Sequence, residues 1–237
     1  MTAGVLFDKD GTLFDFEATW YPVVRTILDV LKTRYRLDDD ALKAVRTASG
    51  ITETGFARES FIQSRTTFEV LELWIGVLKE HGIRVEGKGL TEIFDTTATG
   101  PIFSAKVVPG TQALLGRLRN NGCRLGVVTS DDRVSAEHGL RQAGLWEYFD
   151  YVAANGDGFP DKPAPEAAAE FRRRFGIAPS GLSMFGDSLV DMEFARNAGA
   201  RFIGMKTSCN DYSRFVDAGF PVVEDFLDLA AIERLLA

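Results

Sequence analysis

From Thr19 to about Tyr35, apolar residues recur with a helical period. Trp20, Val23, Val24, Ile27, Leu28 and Leu31 stand at i, i+3, i+4, i+7, i+8 and i+11, one stripe of an amphipathic helix. Pro22 fits that helix only in its first turn, where a missing N–H is not needed. Residues 39–48 predict a second helix. Residues 66–81 predict a third, with Phe68, Leu71, Trp74, Ile75 and Leu78 on a broad apolar face. A weaker helical stretch covers 88–97, and no strand is evident between 14 and 100.

On either side of this block the texture differs. Residues 4–7 (GVLF) form a short apolar run that stops at Asp8. After Gly100-Pro101, short apolar runs alternate with helical stretches. Strands are predicted at 124–129, 149–153, 182–186, 201–205 and 221–224, with helices near 110–121, 133–143, 164–175, 189–198 and 226–236. Gly122, Gly144, Gly176 and Gly199 stand at helix ends. Strands alternating with helices predict an α/β fold, a parallel sheet with helices on both faces. The helical block interrupts that pattern after its first strand. Residues 1–15 and 101–237 therefore read as one domain and 16–100 as a helical domain inserted into it.

In an open parallel sheet the ligand sits beyond the carboxyl ends of the strands, so the residues at those ends carry the candidate chemistry. The first strand runs into Asp8-Lys9-Asp10-Gly11-Thr12. The 124–129 strand ends in Thr129-Ser130-Asp131. The 182–186 strand is followed by Asp187 and Asp191, and Lys162 precedes the 164–175 helix. Crowded carboxylates repel by about 4 kcal/mol per pair at ~4 Å and an effective dielectric near 20. They are stable together when a hard cation sits among them or one keeps a proton. Magnesium is the natural occupant for oxygen donors, and no histidine or cysteine at the rim suggests zinc. Lys162 and Thr129 could compensate and hydrogen-bond phosphate oxygens. One of Asp8 and Asp10 could act as nucleophile and the other as acid/base.

These segments resemble the four motifs of the haloacid dehalogenase superfamily. Asp8-Lys9-Asp10-Gly11-Thr12 is similar to its DxDGT signature, Val127-Val128-Thr129-Ser130 to the second motif, Lys162 in DKPAPE to the third, and Gly186-Asp187-Ser188-Leu189-Val190-Asp191 to the fourth. The helical insert resembles the C1 cap of the phosphoglycolate phosphatase-like subgroup. The resemblance implies a Rossmann-like doubly wound core with an all-α cap. It implies a magnesium-dependent phosphatase acting on a small phosphorylated metabolite, such as phosphoglycolate, through a phospho-aspartate. Asp8 is then nucleophile and metal ligand. Asp10 is general acid/base and a metal ligand through its backbone carbonyl. Thr129, Ser130 and Lys162 bind the phosphoryl group, Asp187 ligates the metal, and Asp191 supports the metal site through water. Two positions depart from the pattern. Ser130 replaces a common asparagine, and Lys9 replaces a common apolar residue. Lys9 is compatible with pointing away from the site or with adding positive charge near it.

Other readings of the same residues are a phosphomutase similar to β-phosphoglucomutase and a metabolite-binding protein without turnover. A dehalogenase proper is disfavoured, since that motif lacks the second aspartate and Asp10 is present.

Composition sets the surroundings. The chain has 237 residues, 45% of them hydrophobic and 26% charged, with a formal charge of −7. That balance disfavours a nucleic-acid partner, which calls for a basic excess. Two isolated cysteines form neither a disulfide framework nor a metal clip. No apolar run approaches the ~20 residues of a membrane helix, and the N-terminal segment lacks the features of a signal peptide. A cytoplasmic protein, monomeric or homodimeric, is expected.

Overall fold

The computed structural model describes residues 3–236. The chain divides into two compact units, one of Met1–Asp15 with Ala105–Ala237 and one of Phe16–Ser104.

The larger unit is a six-stranded sheet with helices on both faces. In chain order it contains β1 (Gly4–Phe7), α6 (Thr111–Asn120), β2 (Arg124–Asp132), α7 (Arg133–Gln142), β3 (Tyr151–Asn155), α8 (Glu166–Phe175), β4 (Leu182–Gly186), α9 (Leu189–Ala198), β5 (Arg201–Met205), α10 (Ser213–Asp217), β6 (Val222–Val223) and α11 (Leu229–Leu236). The strand order is β3-β2-β1-β4-β5-β6, and all neighbours pair in parallel. The chain winds outward from β1 to β3, then returns to the other side of β1. The winding direction therefore reverses between β1 and β4, the place where an α/β sheet opens a crevice.

Both faces of the sheet are covered, which explains the unbroken apolar runs. From β1, Val5 and Phe7 face a core shared with Leu114, Leu118, Leu140 and Ile232, while Leu6 faces one built with Phe171, Phe194 and Phe215. Phe7 and Phe185 are neighbours in register across β1 and β4. Their rings stack at 5.1 Å, and Phe226 packs edge-on against both. This aromatic cluster lies directly beneath the ends of the two central strands.

The smaller unit consists of α1 (Phe16–Tyr35), α2 (Asp39–Ser49), α3 (Phe61–Ser64), α4 (Thr67–Glu80) and α5 (Gly87–Ala98). Its core contains Trp20, Val23, Ile27, Leu31, Trp74 and Leu78. Trp20 stacks on Phe94, and the Trp74 indole donates to Ser49 Oγ at 2.7 Å.

Three local expectations change. α1 begins at Phe16, so Pro22 lies inside the helix rather than in its first turn. An interior proline costs about 3 kcal/mol. The helix tolerates it because its stripe from Trp20 to Leu31 is buried. The final helix starts at Leu229, not 226. Phe226 is committed to the aromatic cluster, its amide donates to Pro109 O, and Asp228 caps the helix by accepting from the Ala231 amide. The single-turn helices α3 and α10 are too short to show a period.

Phe226 is fully buried and contacts both central-strand phenylalanines, so Phe226→Ala should destabilise the fold by about 3 to 5 kcal/mol. Urea unfolding measures this directly. A loss below about 1 kcal/mol would show that the cluster is not a principal part of the core.

Candidate active site

β1 continues by one hydrogen bond past its end, as the Asp8 amide donates to Phe185 O at 2.9 Å. This fixes the Asp8 backbone at the crevice. Lys162 arrives from the segment after β3. Asn155 Nδ2 donates to Asp161 Oδ1 and Asn197 Nδ2 to Pro163 O, pinning that segment on both sides of the lysine. The Lys162 ammonium donates to Asp8 Oδ1 at 2.6 Å and to Asp191 Oδ1 at 2.7 Å. All three side chains are buried. The other oxygen of Asp191 accepts from the Ser188 amide and hydroxyl, while the Ser188 hydroxyl accepts from the Asp191 amide. Asp191 is thus both a Lys162 partner and half of the capping box that starts α9.

Asp187 completes the group. Asp8, Asp187 and Asp191 each offer a carboxylate oxygen, all within 4.8 Å of one another. Three buried carboxylates gather here and one ammonium pairs with two of them, so the charge is unbalanced. Burial pushes the Asp8 carboxyl up, Lys162 pulls it down and Asp191 pushes it up again, leaving it raised to about 7. Burial works against the Lys162 charge, but Asp191 and then Asp8 outweigh it and hold the ammonium above its ordinary range. This all-oxygen, electron-rich donor set fits a divalent cation such as magnesium.

The remaining predicted residues form a second group. Asp10 lies outside that trio and pairs through Oδ2 with the Lys9 ammonium, while its buried Oδ1 has no hydrogen-bond partner. Lys9 is fully buried and also pairs with Asp131 at 2.9 Å. The Lys9 charge is thus placed between Asp10 and Asp131. Thr129 is buried, and its hydroxyl accepts from the Asp131 amide. Ser130 is partly buried beside it. β2 does not end at Thr129 but runs to Asp132, with its register broken after Val128. An irregularity of this kind re-aims side chains at a strand end. Among the described residues, no hydrogen bond joins Thr129 or Ser130 to Asp8 or Lys162.

The family model for haloacid dehalogenase-like hydrolases matches residues 2–199. The chain belongs to that family. It is 36% identical over 202 residues to the probable phosphatase IndB of Dickeya dadantii, covering 85% of this chain and 80% of the relative. It is 26% identical over 223 residues to the phosphoglycolate phosphatase of Shigella dysenteriae, covering 93% and 87%. A Thermotoga maritima crystal structure, described as a putative β-phosphoglucomutase, superposes with a TM-score of 0.73 at 21% identity over 99% of both chains. That likeness concerns the fold alone. Among the described residues of this haloacid dehalogenase-like hydrolase, no helix is long and apolar enough to cross a membrane.

Two supporting residues escape a reading of the motifs. Asn210 is buried, and its side-chain amide donates at 2.8 Å to both Asp187 O and Met205 O. It ties the end of β4 to the end of β5, and no local signal marks it. Asp131 lies two residues past Thr129, but its contact with Lys9 depends on the path of another strand. Gly11 is the position where glycine is required. Its φ is +84°, and a Cβ there would lie 2.2 Å from Asp187 Oδ2. Gly11→Ala should displace the Asp187 carboxylate and lower turnover by about 10²-fold. Steady-state kinetics on folded variant would show it, and a rate near wild type would mean the loop relaxes without moving the carboxylate.

The raised Asp8 carboxyl has a consequence for stability. A group that holds its proton more tightly when folded loses stabilisation as pH rises from its unfolded value of 3.8 to its folded value of about 7. With divalent cations chelated, the melting temperature should fall across that window, and Asp8→Asn should flatten part of the fall. Magnesium should raise the melting temperature more near pH ~8 than near pH ~5. Scanning calorimetry at a series of pH values checks both, and a magnesium effect of equal size throughout would contradict the charge imbalance.

Proposed function

We propose that the chain is a magnesium-dependent phosphatase that hydrolyses a small phosphomonoester through a phospho-aspartate on Asp8. The observation that carries this reading is the Lys162 ammonium, shared between Asp8 and Asp191 with the Asp187 carboxylate alongside. The same proposal takes the α/β unit as the catalytic domain and the helical unit as an inserted cap.

The contacts support the roles assigned in this reading. Lys162 holds Oδ1 of Asp8, which orients the carboxylate and leaves its other oxygen to attack phosphorus. The new O–P bond forms as the bond to the leaving alcohol breaks. Asp10 donates its proton to that leaving oxygen, and its unpartnered Oδ1 is the atom able to do so. It then takes a proton from water, whose oxygen attacks phosphorus, releasing phosphate and regenerating Asp8. Thr129, Ser130 and Lys162 bind the phosphoryl oxygens. Asp8, Asp187, Asp191 and the Asp10 backbone carbonyl would hold magnesium, which compensates negative charge on the phosphate and on Asp8. The substrate is a small phosphorylated metabolite. Phosphoglycolate leads, because a relative matched over most of both chains carries that activity in its name.

With magnesium, the wild type should release phosphate from 4-nitrophenyl phosphate and from phosphoglycolate, and chelation should stop it reversibly. Asp8→Asn should abolish turnover. Asp10→Asn should lower it by on the order of 10²-fold or more. Full activity of folded Asp8→Asn would remove the phospho-aspartate. A hexose phosphate converted to an isomer with no phosphate released would place the chain with the mutases. Binding without turnover would make it a metabolite-binding protein.

A further inference from the structure

Lys9 is the largest charged side chain completely sealed in the molecule, and phosphate binding makes no use of it. It is 0% exposed. Its ammonium meets Asp10 Oδ2 on one side and Asp131 Oδ2 at 2.9 Å on the other. It also lies 5.1 Å from the centre of the Phe14 ring, which is itself fully buried. The backbone reinforces this arrangement. The Lys9 carbonyl accepts from the Leu13 and Phe14 amides at 2.9 and 3.0 Å, and the Gly11 amide donates to Phe14 O at 2.8 Å. The loop that carries Asp10 is thereby folded back over its own lysine.

The ammonium hydrogen-bonds Asp10 Oδ2 and pairs with Asp131 Oδ2 by charge, so Asp10 is the partner fixed in direction and Asp131 holds the ammonium in place. For Asp10 the result is asymmetric. Oδ2 is held, and Oδ1 is buried with no hydrogen-bond partner. A carboxyl so held has one orientation, and it presents one oxygen. Asp131 is anchored in turn, because its amide donates to Thr129 Oγ1 at 3.2 Å. The chain Asp131–Lys9–Asp10 therefore ties β2 to the proposed acid/base carboxyl.

We propose that Lys9 and Asp131 form a positioning pair that sets the direction of the Asp10 carboxyl toward the leaving oxygen. This rests on the phosphatase reading above and adds residues that touch neither substrate nor metal. It makes a specific claim about the reaction. Misdirecting Asp10 impairs protonation of the leaving group while leaving attack by Asp8 intact. Esters of poorly acidic alcohols need that proton, and a nitrophenolate does not.

Asp10 also serves the hydrolysis step that both esters share, so the test compares kcat/KM, which reports only the steps up to release of the alcohol, for phosphoglycolate, an alkyl ester, and for 4-nitrophenyl phosphate, using the full chain with magnesium. Lys9→Met should lower kcat/KM on the alkyl ester by about 10²-fold and on the aryl ester by less than about tenfold. Lys9→Met leaves two buried carboxylates without their cation and could fail to fold. Asp131→Asn, which keeps the Lys9–Asp10 contact, is the second variant and should show the same bias at a smaller size. The double variant Lys9→Met/Asp131→Asn should be no slower on the alkyl ester than Lys9→Met alone, because both act through one contact. Equal losses on the two esters, or no loss, in either folded single variant would overturn the positioning role. If the wild type turns over both esters and Asp8→Asn removes that activity, such a result counts against this pair alone. If the wild type turns over neither ester, the phosphatase reading and this inference fall together.

Discussion

Charge buried with too few counter-charges governs this structure. At the ends of the central strands, Asp8 and Asp191 share Lys162 with Asp187 alongside, while Asp10 and Asp131 share Lys9. Desolvating an ion costs several kcal/mol, and a partner offsets that only with good geometry. The observed geometry is good. Both lysines are nearly sealed from solvent, and each bridges two carboxylates. The deficit remains, and it is visible in the raised carboxyls of Asp8 and Asp131, where burial is the larger cause and the lysines oppose it. The unmet negative charge is of the kind a divalent cation neutralises.

The two lysines separate two carboxylates that are close in the chain. Asp8 and Asp10 flank Lys9, yet Asp8 is held by Lys162 and Asp10 by Lys9. The tight turn after β1 makes this possible. Gly11 adopts a positive φ and lies against Asp187, which sends Asp8 and Asp10 into different partnerships. Under the proposed mechanism, this backbone geometry is what keeps nucleophile and proton donor apart.

The scaffold beneath is rigid where the chemistry needs it. The Phe7–Phe185 stack joins the two strands that bear Asp8 and Asp187, and the β1–β4 ladder extends to the Asp8 amide. Asp191 is locked by its capping box and by Lys162 together. Polar groups positioned by strands and by a helix start hold their direction better than groups on free loops. The same features explain why glycine occupies Gly11 and Gly186, where added side chains would meet the carboxylates of Asp187 and Asp191.

The sequence by itself determined the α/β class, the place of each major strand and helix, and the acidic strand ends, because these depend on local periodicity and on where apolar runs stop. The buried runs GVLF and LSMFG and the stripe from Trp20 to Leu31 were legible for that reason. Helix starts were less so. Pro22 looked like a first-turn residue because local rules carry no information on how much burial a longer helix gains. Tertiary structure alone decided the direction of Lys9, the partnership of Asp131, the second task of Asp191 and the tie made by Asn210. Each of these is a contact between residues on different strands or turns, and its energy depends on burial. Burial exists only once the sheet is assembled, so no local pattern encodes it.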